Sequence, residues 1–500
     1  MSKYRNICCL GFFILLAACR KDASKPAYQA INEVQISGLE ISYSVLQGQR
    51  LKITPQLDFT IDDGKDPSRY EYEWMAADIQ QIIISHQRNL DTTINLAPQQ
   101  YIMYYRVRDK ISGVQWAKKF DLYVQTSIYQ GWMVLCDVNG TARLDMVSQQ
   151  DTGYMTIHDV LKFAGSSLTL QGAPVDLACF PYTFSQYGIY ITTTGTGTTK
   201  VDPESFQWAP EMELSYETLM KDIPDNFGAD FMVAKGSMLN SYLYKGGNVY
   251  YYSGSAGLRY SVPVNIVQGE PKEFVAAPFI TSSPADFADY APSVMYDITG
   301  RRFLQHAPGR TYVTPVPAGT LFDFNNTGKD LIFMTSSKYN GSFSGGEVFV
   351  VMKDPATAKY YLGRFTIDAF GPSFVQTYWQ EMTATDIGLA ENFAVNPDFG
   401  YVFYNVGGKL YEYDMFSKQS TLMLDKGAGK ITLLKFQRFL QQFAPATSQF
   451  FNKLIVASYD NTTANGDMEI YAVPDVNGAL QLLSHYSGFG KIKNIEYRER

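Results

Sequence analysis

The feature that most restricts the fold is a recurring unit, a glycine turn followed by an alternating, tyrosine-rich strand. It occurs as Gly246-Gly247-Asn248-Val249-Tyr250-Tyr251-Tyr252, Gly345-Gly346-Glu347-Val348-Phe349-Val350-Val351, Gly407-Gly408-Lys409-Leu410-Tyr411-Glu412-Tyr413-Asp414 and Gly466-Asp467-Met468-Glu469-Ile470-Tyr471. Evenly spaced strands with a turn-aromatic signature predict radial repetition of four-stranded sheets, a β-propeller. At about 50 residues per blade, the roughly 370 residues from Gly131 onward hold seven blades, with six or eight as alternatives. A blade is covered on both faces by its neighbours, so inner strands such as Asp330-Leu331-Ile332-Phe333-Met334 and Lys453-Leu454-Ile455-Val456-Ala457 can be apolar almost throughout. Closing the ring requires the strand around Trp132 to Asp137 to pair with the last residues, which hides two edges. Partial helical spacing in Ser215 to Asp222 and Phe436 to Phe443 predicts short insertions.

A different pattern precedes this region. Tyr70, Tyr72 and Trp74 share one face of a strand while Glu71 and Glu73 take the other, and Tyr101, Met103, Tyr105 and Val107 repeat the alternation. Asp62-Asp63-Gly64 and Ser112-Gly113 supply turns. Several such strands within about a hundred residues predict an immunoglobulin-like sandwich with Trp74 at its core and Tyr101 placed as a tyrosine-corner residue. The fold class expected is therefore all-β: a signal over 1–18, a tether over 19–29, a sandwich over 30–127 and a propeller over 128–500.

The first eighteen residues carry Lys3 and Arg5 before an apolar run from Ile7 to Ala18, too short to span a bilayer. The run ends in Leu16-Ala17-Ala18-Cys19, which resembles a bacterial lipobox and predicts lipidation of Cys19. The membrane is then a partner through acyl chains and not through a spanning helix. Cleavage takes the formal charge from −7 to −9. With no block of basic residues, nucleic-acid binding is excluded. Cys136 and Cys179, 43 residues apart, remain. They read as two small buried residues on separate strands, with a disulfide as the alternative that an oxidising compartment permits.

Catalytic and metal signatures are sparse. His86, His158, His306 and His485 are scattered, and neither His-Glu-x-x-His, Cys-x-x-Cys nor Gly-x-Ser-x-Gly occurs. No cofactor is implied. Asp323, Asn325 and Asp330 sit in an oxygen-rich loop with partial calcium-loop spacing, yet Thr327 takes the fifth position and no glutamate stands at the twelfth. Paired carboxylates for glycoside hydrolysis leave no local motif. Aromatic residues make up 15% of the chain, and exposed rings can stack on sugars or accept peptide side chains. Trp208 and Trp379, in segments without clean alternation, are the ligand-binding candidates.

Taken together, Tyr70-Glu71-Tyr72-Glu73-Trp74, Arg106-Val107-Arg108-Asp109, Gly131-Trp132-Met133-Val134-Leu135 and Gly488-Phe489-Gly490-Lys491-Ile492 resemble the PKD-like family of lipoproteins from Bacteroidetes-type bacteria. The resemblance implies an outer-membrane protein, on the cell-surface or the periplasmic side, working beside a TonB-dependent transporter and its binding lipoprotein in uptake of a glycan or a peptide. It supplies no catalytic residues. The expected role is a non-catalytic accessory or binding component. The alternatives are a propeller glycoside hydrolase or lyase with channel carboxylates, and a purely structural subunit of a transporter complex.

Overall fold

The computed structural model describes residues 31–499 except 67, 78–80, 151–152, 181–187, 237–239, 255, 286 and 440–447. Cys19 and the tether lie outside the described residues. Among those described, no helix is long and apolar enough to cross a membrane. The protein is nearly all β, and it divides into two compact units between Thr126 and Ser127.

In the first unit a five-stranded sheet runs in the order Ser42–Leu46, Gln115–Gln125, Gln100–Asp109, Tyr70–Ala77 and Gln81–Ser85. Two ribbons accompany it, Val34–Ser37 with Gln56–Phe59 and Arg50–Ile53 with Leu90–Thr93. Alternation along Gln100–Asp109 puts Tyr101, Met103, Tyr105 and Val107 in the core, around a fully buried Trp74. The Trp74 indole donates to the Gln87 carbonyl at 2.9 Å, which satisfies its polar edge inside the core. The Tyr101 hydroxyl donates to the Ala97 carbonyl at 3.0 Å, the tyrosine-corner contact.

The second unit contains seven sheets among the described residues. Sheet I joins Gly131–Val138, Thr141–Gln150 and Gly153–Ile157 to the final strand, Lys491–Arg498. Sheet II holds Pro174–Phe180, Gly188–Thr193 and Gly197–Val201; sheet III holds Phe231–Ala234, Asn240–Lys245 and Asn248–Ser253. Sheet IV holds Ser293–Asp297, Arg302–His306 and Thr314–Pro315. Sheet V holds Asp330–Ser337, Gly345–Lys353, Tyr360–Asp368 and Gln376–Glu381. Sheet VI holds Asn392–Val395, Val402–Val406, Lys409–Asp414 and Gln419–Asp425. Sheet VII holds Lys430–Phe436, Leu454–Asp460, Asn465–Ala472 and Gln481–Phe489.

Pleat parity explains how these sheets close on one another. Successive side chains of a strand point to opposite faces. Trp132, Val134 and Cys136 therefore pack with Ile455, Ala457 and Met468 of sheet VII, while Met133 and Leu135 pack with Leu177 and Ile189 of sheet II. A buried cluster of this kind joins every adjacent pair of sheets around the unit. The expected closing pair is present: Gly131–Val138 and Lys491–Arg498 run antiparallel, with Gly131 opposite Arg498. A Cβ on Gly131 would lie 2.2 Å from the Val147 carbonyl oxygen, so only glycine fits where the ring begins. Trp132 fills the seam, its ring centroid 4.8 Å from Tyr497 and 5.2 Å from Phe450. Arg498 is fully buried, donates to the Ile128 and Pro203 carbonyls and stacks over Phe206.

Parity also corrects the disulfide alternative. Cys136 faces the cluster shared with sheet VII, whereas Cys179 faces the one shared between sheets I and II, so the two are not bridged. One helical expectation is replaced: Ser215 to Asp222 contains only a single 3-10 turn, Leu214–Glu217. Of Phe436 to Phe443, Phe436 ends a strand, and 440–443 lie outside the described residues.

Candidate functional site

The inner strands, which are the first strands of sheets V, VI, VII, II and III and the final strand Lys491–Arg498 of sheet I, contact one another in the order V, VI, VII, I, II, III and line the middle of the ring. Where three of these strands end, a cavity of about 380 Å³ opens between sheets V, VI and VII. Its walls come from Phe333, Thr335 to Lys338, Phe393 to Val395, Pro397 and Leu434 to Phe439, with Pro284, Phe451 and Asn452 also lining it. Phe333 and Phe393 stack at 5.3 Å with a 23° interplanar angle, giving one wall an aromatic surface. Thr335, Ser336 and Ser337 add hydroxyls, and Lys338, Lys435 and Arg438 add positive charge. Among the described residues, no Asp or Glu lines the cavity.

Behind this wall Glu496 neutralises Lys435 and accepts from Gln437 Nε2 at 3.0 Å, while Lys435 Nζ also donates to the Ile495 carbonyl at 2.7 Å. The same inner layer holds Asp176, which accepts from the Met232 N–H at 3.1 Å and Asn494 Nδ2 at 2.9 Å. Burial outweighs those bonds and lifts the Asp176 carboxyl to about 6. Arg438 Nη2 reaches across to the Ala285 carbonyl at 3.1 Å, fixing the guanidinium beside the cavity. The arrangement offers stacking, hydroxyl donors and cationic hydrogen bonds, which is the equipment of a binding pocket.

The residues nominated from sequence lie elsewhere. Trp208 is half-buried against the cluster of sheets I and II, and its indole donates to Thr199 Oγ1 at 2.8 Å. Trp379 stacks on Tyr361 at 5.3 Å and packs on Phe322 at 4.5 Å. Neither lines the cavity. Asp323 and Asn325 form a turn, the Asn325 N–H donating to Asp323 Oδ1 at 2.8 Å, while Asp330 pairs with Arg301 at 3.0 Å. The structure does not bring these three together as a ligand set, and among the described residues no cluster of three or more His, Cys, Asp or Glu could hold a metal.

Two histidines are explained by packing. His306 is fully buried, with Nδ1 2.7 Å from the Tyr242 hydroxyl and Nε2 2.7 Å from the Arg310 carbonyl, and burial pushes it down to about 4. His158 Nδ1 lies 3.2 Å from Asp145, whose oxygens also accept from Arg143 and from the Asp159 N–H, a brace for the turn into the short helix Val160–Phe163.

Comparison with known proteins adds a family likeness at the N-terminal end. Residues 19–174 match the profile of the PKD-like family, a span that covers the sandwich and the first three strands of sheet I. Among solved structures, a quinonprotein alcohol dehydrogenase-like protein from Bacteroides thetaiotaomicron is similar over 92% of this chain and 96% of its own, at 11% identity and a TM-score of 0.42. A DUF4784 family protein from Bacteroides caccae aligns over 93% of this chain and 98% of its own, at 8% identity and a TM-score of 0.26. YCF48 from Cyanidioschyzon merolae aligns over 66% of this chain and 96% of its own, at 14% identity and a TM-score of 0.34. No curated protein matches.

Proposed function

We propose that the protein is an outer-membrane lipoprotein, anchored through Cys19, that serves as a non-catalytic binding component of a TonB-dependent system importing a glycan or peptide. In this reading each of the seven sheets is one propeller blade, and the cavity beside sheets V to VII is where the ring meets its ligand. The supporting observation is the make-up of that cavity's wall: aromatic faces, hydroxyls and three cationic side chains, with no carboxylate among the described lining residues. Glycoside hydrolysis uses two carboxyl groups flanking the scissile bond, so the wall favours retention of a ligand over its cleavage. The lipid confines the body to the membrane plane and raises its effective concentration beside a transporter.

Cys19→Ala tests the anchor. The variant is expected to stay folded and to move to the soluble fraction, and its retention on membranes after a high-salt wash would overturn the anchoring. Native co-purification with a TonB-dependent transporter tests the partnership. Release of product from any candidate polysaccharide by the purified chain would replace the binding role with an enzymatic one.

A further inference from the structure

The sandwich has a stepped edge. The strand Tyr70–Ala77 pairs along its whole length with Gln100–Asp109, Tyr70 opposite Asp109 and Ala77 opposite Ile102. On its other side only Trp74 to Ala77 is paired, with Gln81–Ser85. The chain turns away after Ser85, held by the bond from the Trp74 indole to the Gln87 carbonyl, and next forms a ribbon with Arg50–Ile53 as Leu90–Thr93. A groove of about 930 Å³ opens beside the unpaired half, lined by Tyr70 to Glu73 of the strand and by His86 to Arg88 of the departing chain.

Ladder parity fixes what the strand offers to this groove. In an antiparallel pair each residue turns its N–H and its C=O to the same side, and successive residues alternate. The Arg69 carbonyl accepts from the Lys110 N–H at 2.9 Å, so Arg69, Glu71 and Glu73 face the neighbouring strand. Asp109, opposite Tyr70, gives the same phase: its N–H donates to the Val114 carbonyl at 3.0 Å and its carbonyl accepts from the Gly113 N–H at 2.8 Å, both away from Tyr70. Tyr70 and Tyr72 therefore turn their backbone N–H and C=O groups to the groove, and among the described residues nothing bonds to them there. An unpaired row of this kind is a template for another strand.

The charges around the row select the strand it takes. Of the cations lining the groove, Arg106 pairs with Glu73 and Lys65 with Asp63, each at 3.0 Å. Glu71, opposite Arg108 in the ladder, lies 4.0 Å from Lys110. Arg88, from the departing chain, and Arg108, from the next strand, make no ion pair among the described residues. Two such guanidiniums beside a row of backbone groups suit an extended segment that carries carboxylates, which Arg binds through parallel N–H bonds. The chain's own residues 20–30 have the wrong sign, with Arg20, Lys21 and Lys25 against Asp22. We propose that the step beside Tyr70 and Tyr72 takes up an extended acidic peptide segment of another protein, which completes the sheet as an added strand and places its carboxylates against Arg88 and Arg108. This docking role belongs to the sandwich and does not depend on the ring's cavity.

The experiment measures fluorescence anisotropy and hydrogen exchange of the full chain in detergent with labelled octapeptides that alternate threonine with glutamate, glutamine or lysine. The glutamate peptide is expected to bind most tightly and the lysine peptide least, with the difference shrinking in high salt. Bound peptide should slow exchange of the Tyr70 and Tyr72 amides and leave those of Glu71 and Glu73, already in the ladder, unchanged. A fully N-methylated glutamate peptide keeps the charges without backbone donors and should bind about tenfold or more weakly. Tyr72→Pro removes an N–H that faces the groove and spares the ladder; it should lose about tenfold more affinity than Tyr72→Ala, which gives up the same ring but keeps the N–H. Arg88→Gln/Arg108→Gln should abolish the preference for glutamate over glutamine. No saturable binding of the glutamate peptide up to about 1 mM, equal binding of the lysine peptide, unweakened binding of the N-methylated peptide, or equal losses in the two Tyr72 variants would each overturn the proposal. The peptide comparisons on wild type decide the matter even where Tyr72→Pro fails to fold. A dimer in sedimentation that Tyr72→Pro dissolves would make a second copy of the chain the occupant and overturn the acidic-peptide assignment.

Discussion

The sandwich and the ring treat buried charge differently. In the sandwich Arg69 lies between Asp62 at 2.8 Å and Asp109 at 3.0 Å, and Asp109, 1% exposed at its side chain, accepts further bonds from the Ile111 N–H and Ser112. The Arg69 hydrogen bond leads the effects that hold the Asp109 carboxyl down at about 2. In the ring, Glu412 is 2% exposed with neither carboxylate oxygen hydrogen-bonded, and burial, helped by Asp414, lifts it to about 7. Lys235 is fully buried with Nζ unpartnered, and burial lowers it to about 8 against the pull of Asp289. A buried charge without a partner is costly. The sandwich depends on one core and pairs Asp109, whereas the ring distributes its stability over a cluster at every sheet junction and holds unpaired groups such as Glu412 and Lys235 beside paired ones such as Asp145 with Arg143.

The comparison can be broken most forcefully at the ring's seam. Deleting Lys491–Arg498 should abolish the cooperative unfolding of the ring in calorimetry and leave a sandwich transition in place; loss of both would show that the units do not fold separately. Trp74→Ala should do the converse, destabilising the sandwich by about 3 to 5 kcal/mol while the ring's transition is unmoved.

Two charge variants sharpen the contrast. A Glu412 carboxyl at about 7 in the native state, against 4.5 unfolded, favours folding below pH 4.5 and loses that contribution as pH rises through 7. Glu412→Gln should therefore flatten the ring's stability between these values and raise it at pH 8, by about 3 kcal/mol or less, as read by chemical denaturation. The sign is opposite for Asp109: its lowered value favours folding above pH 3.8, and the contribution is lost as pH falls through about 2. Asp109→Asn should cost the sandwich about 1 to 2 kcal/mol at neutral pH and remove that acid limb from its stability profile.

These differences also show what was readable in advance. Alternation exposed the sandwich because Tyr70 and Trp74 are buried on one strand while Glu71 points out. The Gly246-Gly247 and Gly407-Gly408 turns marked ring hairpins because Gly246, Gly247 and Gly407 adopt positive φ, which a side chain disfavours. The cavity was not readable. Phe333 and Phe393 come from two first strands and Arg438 from just beyond a third, far apart in sequence, and only the packing of sheets V, VI and VII brings them together. Segments without clean alternation directed attention to Trp208 and Trp379, which the structure packs against neighbouring side chains.

The pairing of Gly131–Val138 with Lys491–Arg498 has a temporal consequence. Six sheets can assemble from contiguous chain, but the first cannot be completed until Lys491–Arg498 has been synthesised. Until then two unpaired strand edges and the apolar flanks beside Trp132 stay available to other chains, an aggregation hazard for which holding chaperones exist. A molecule shortened by even its final strand is thus marked as unfinished, and proteolysis would select against such incomplete copies.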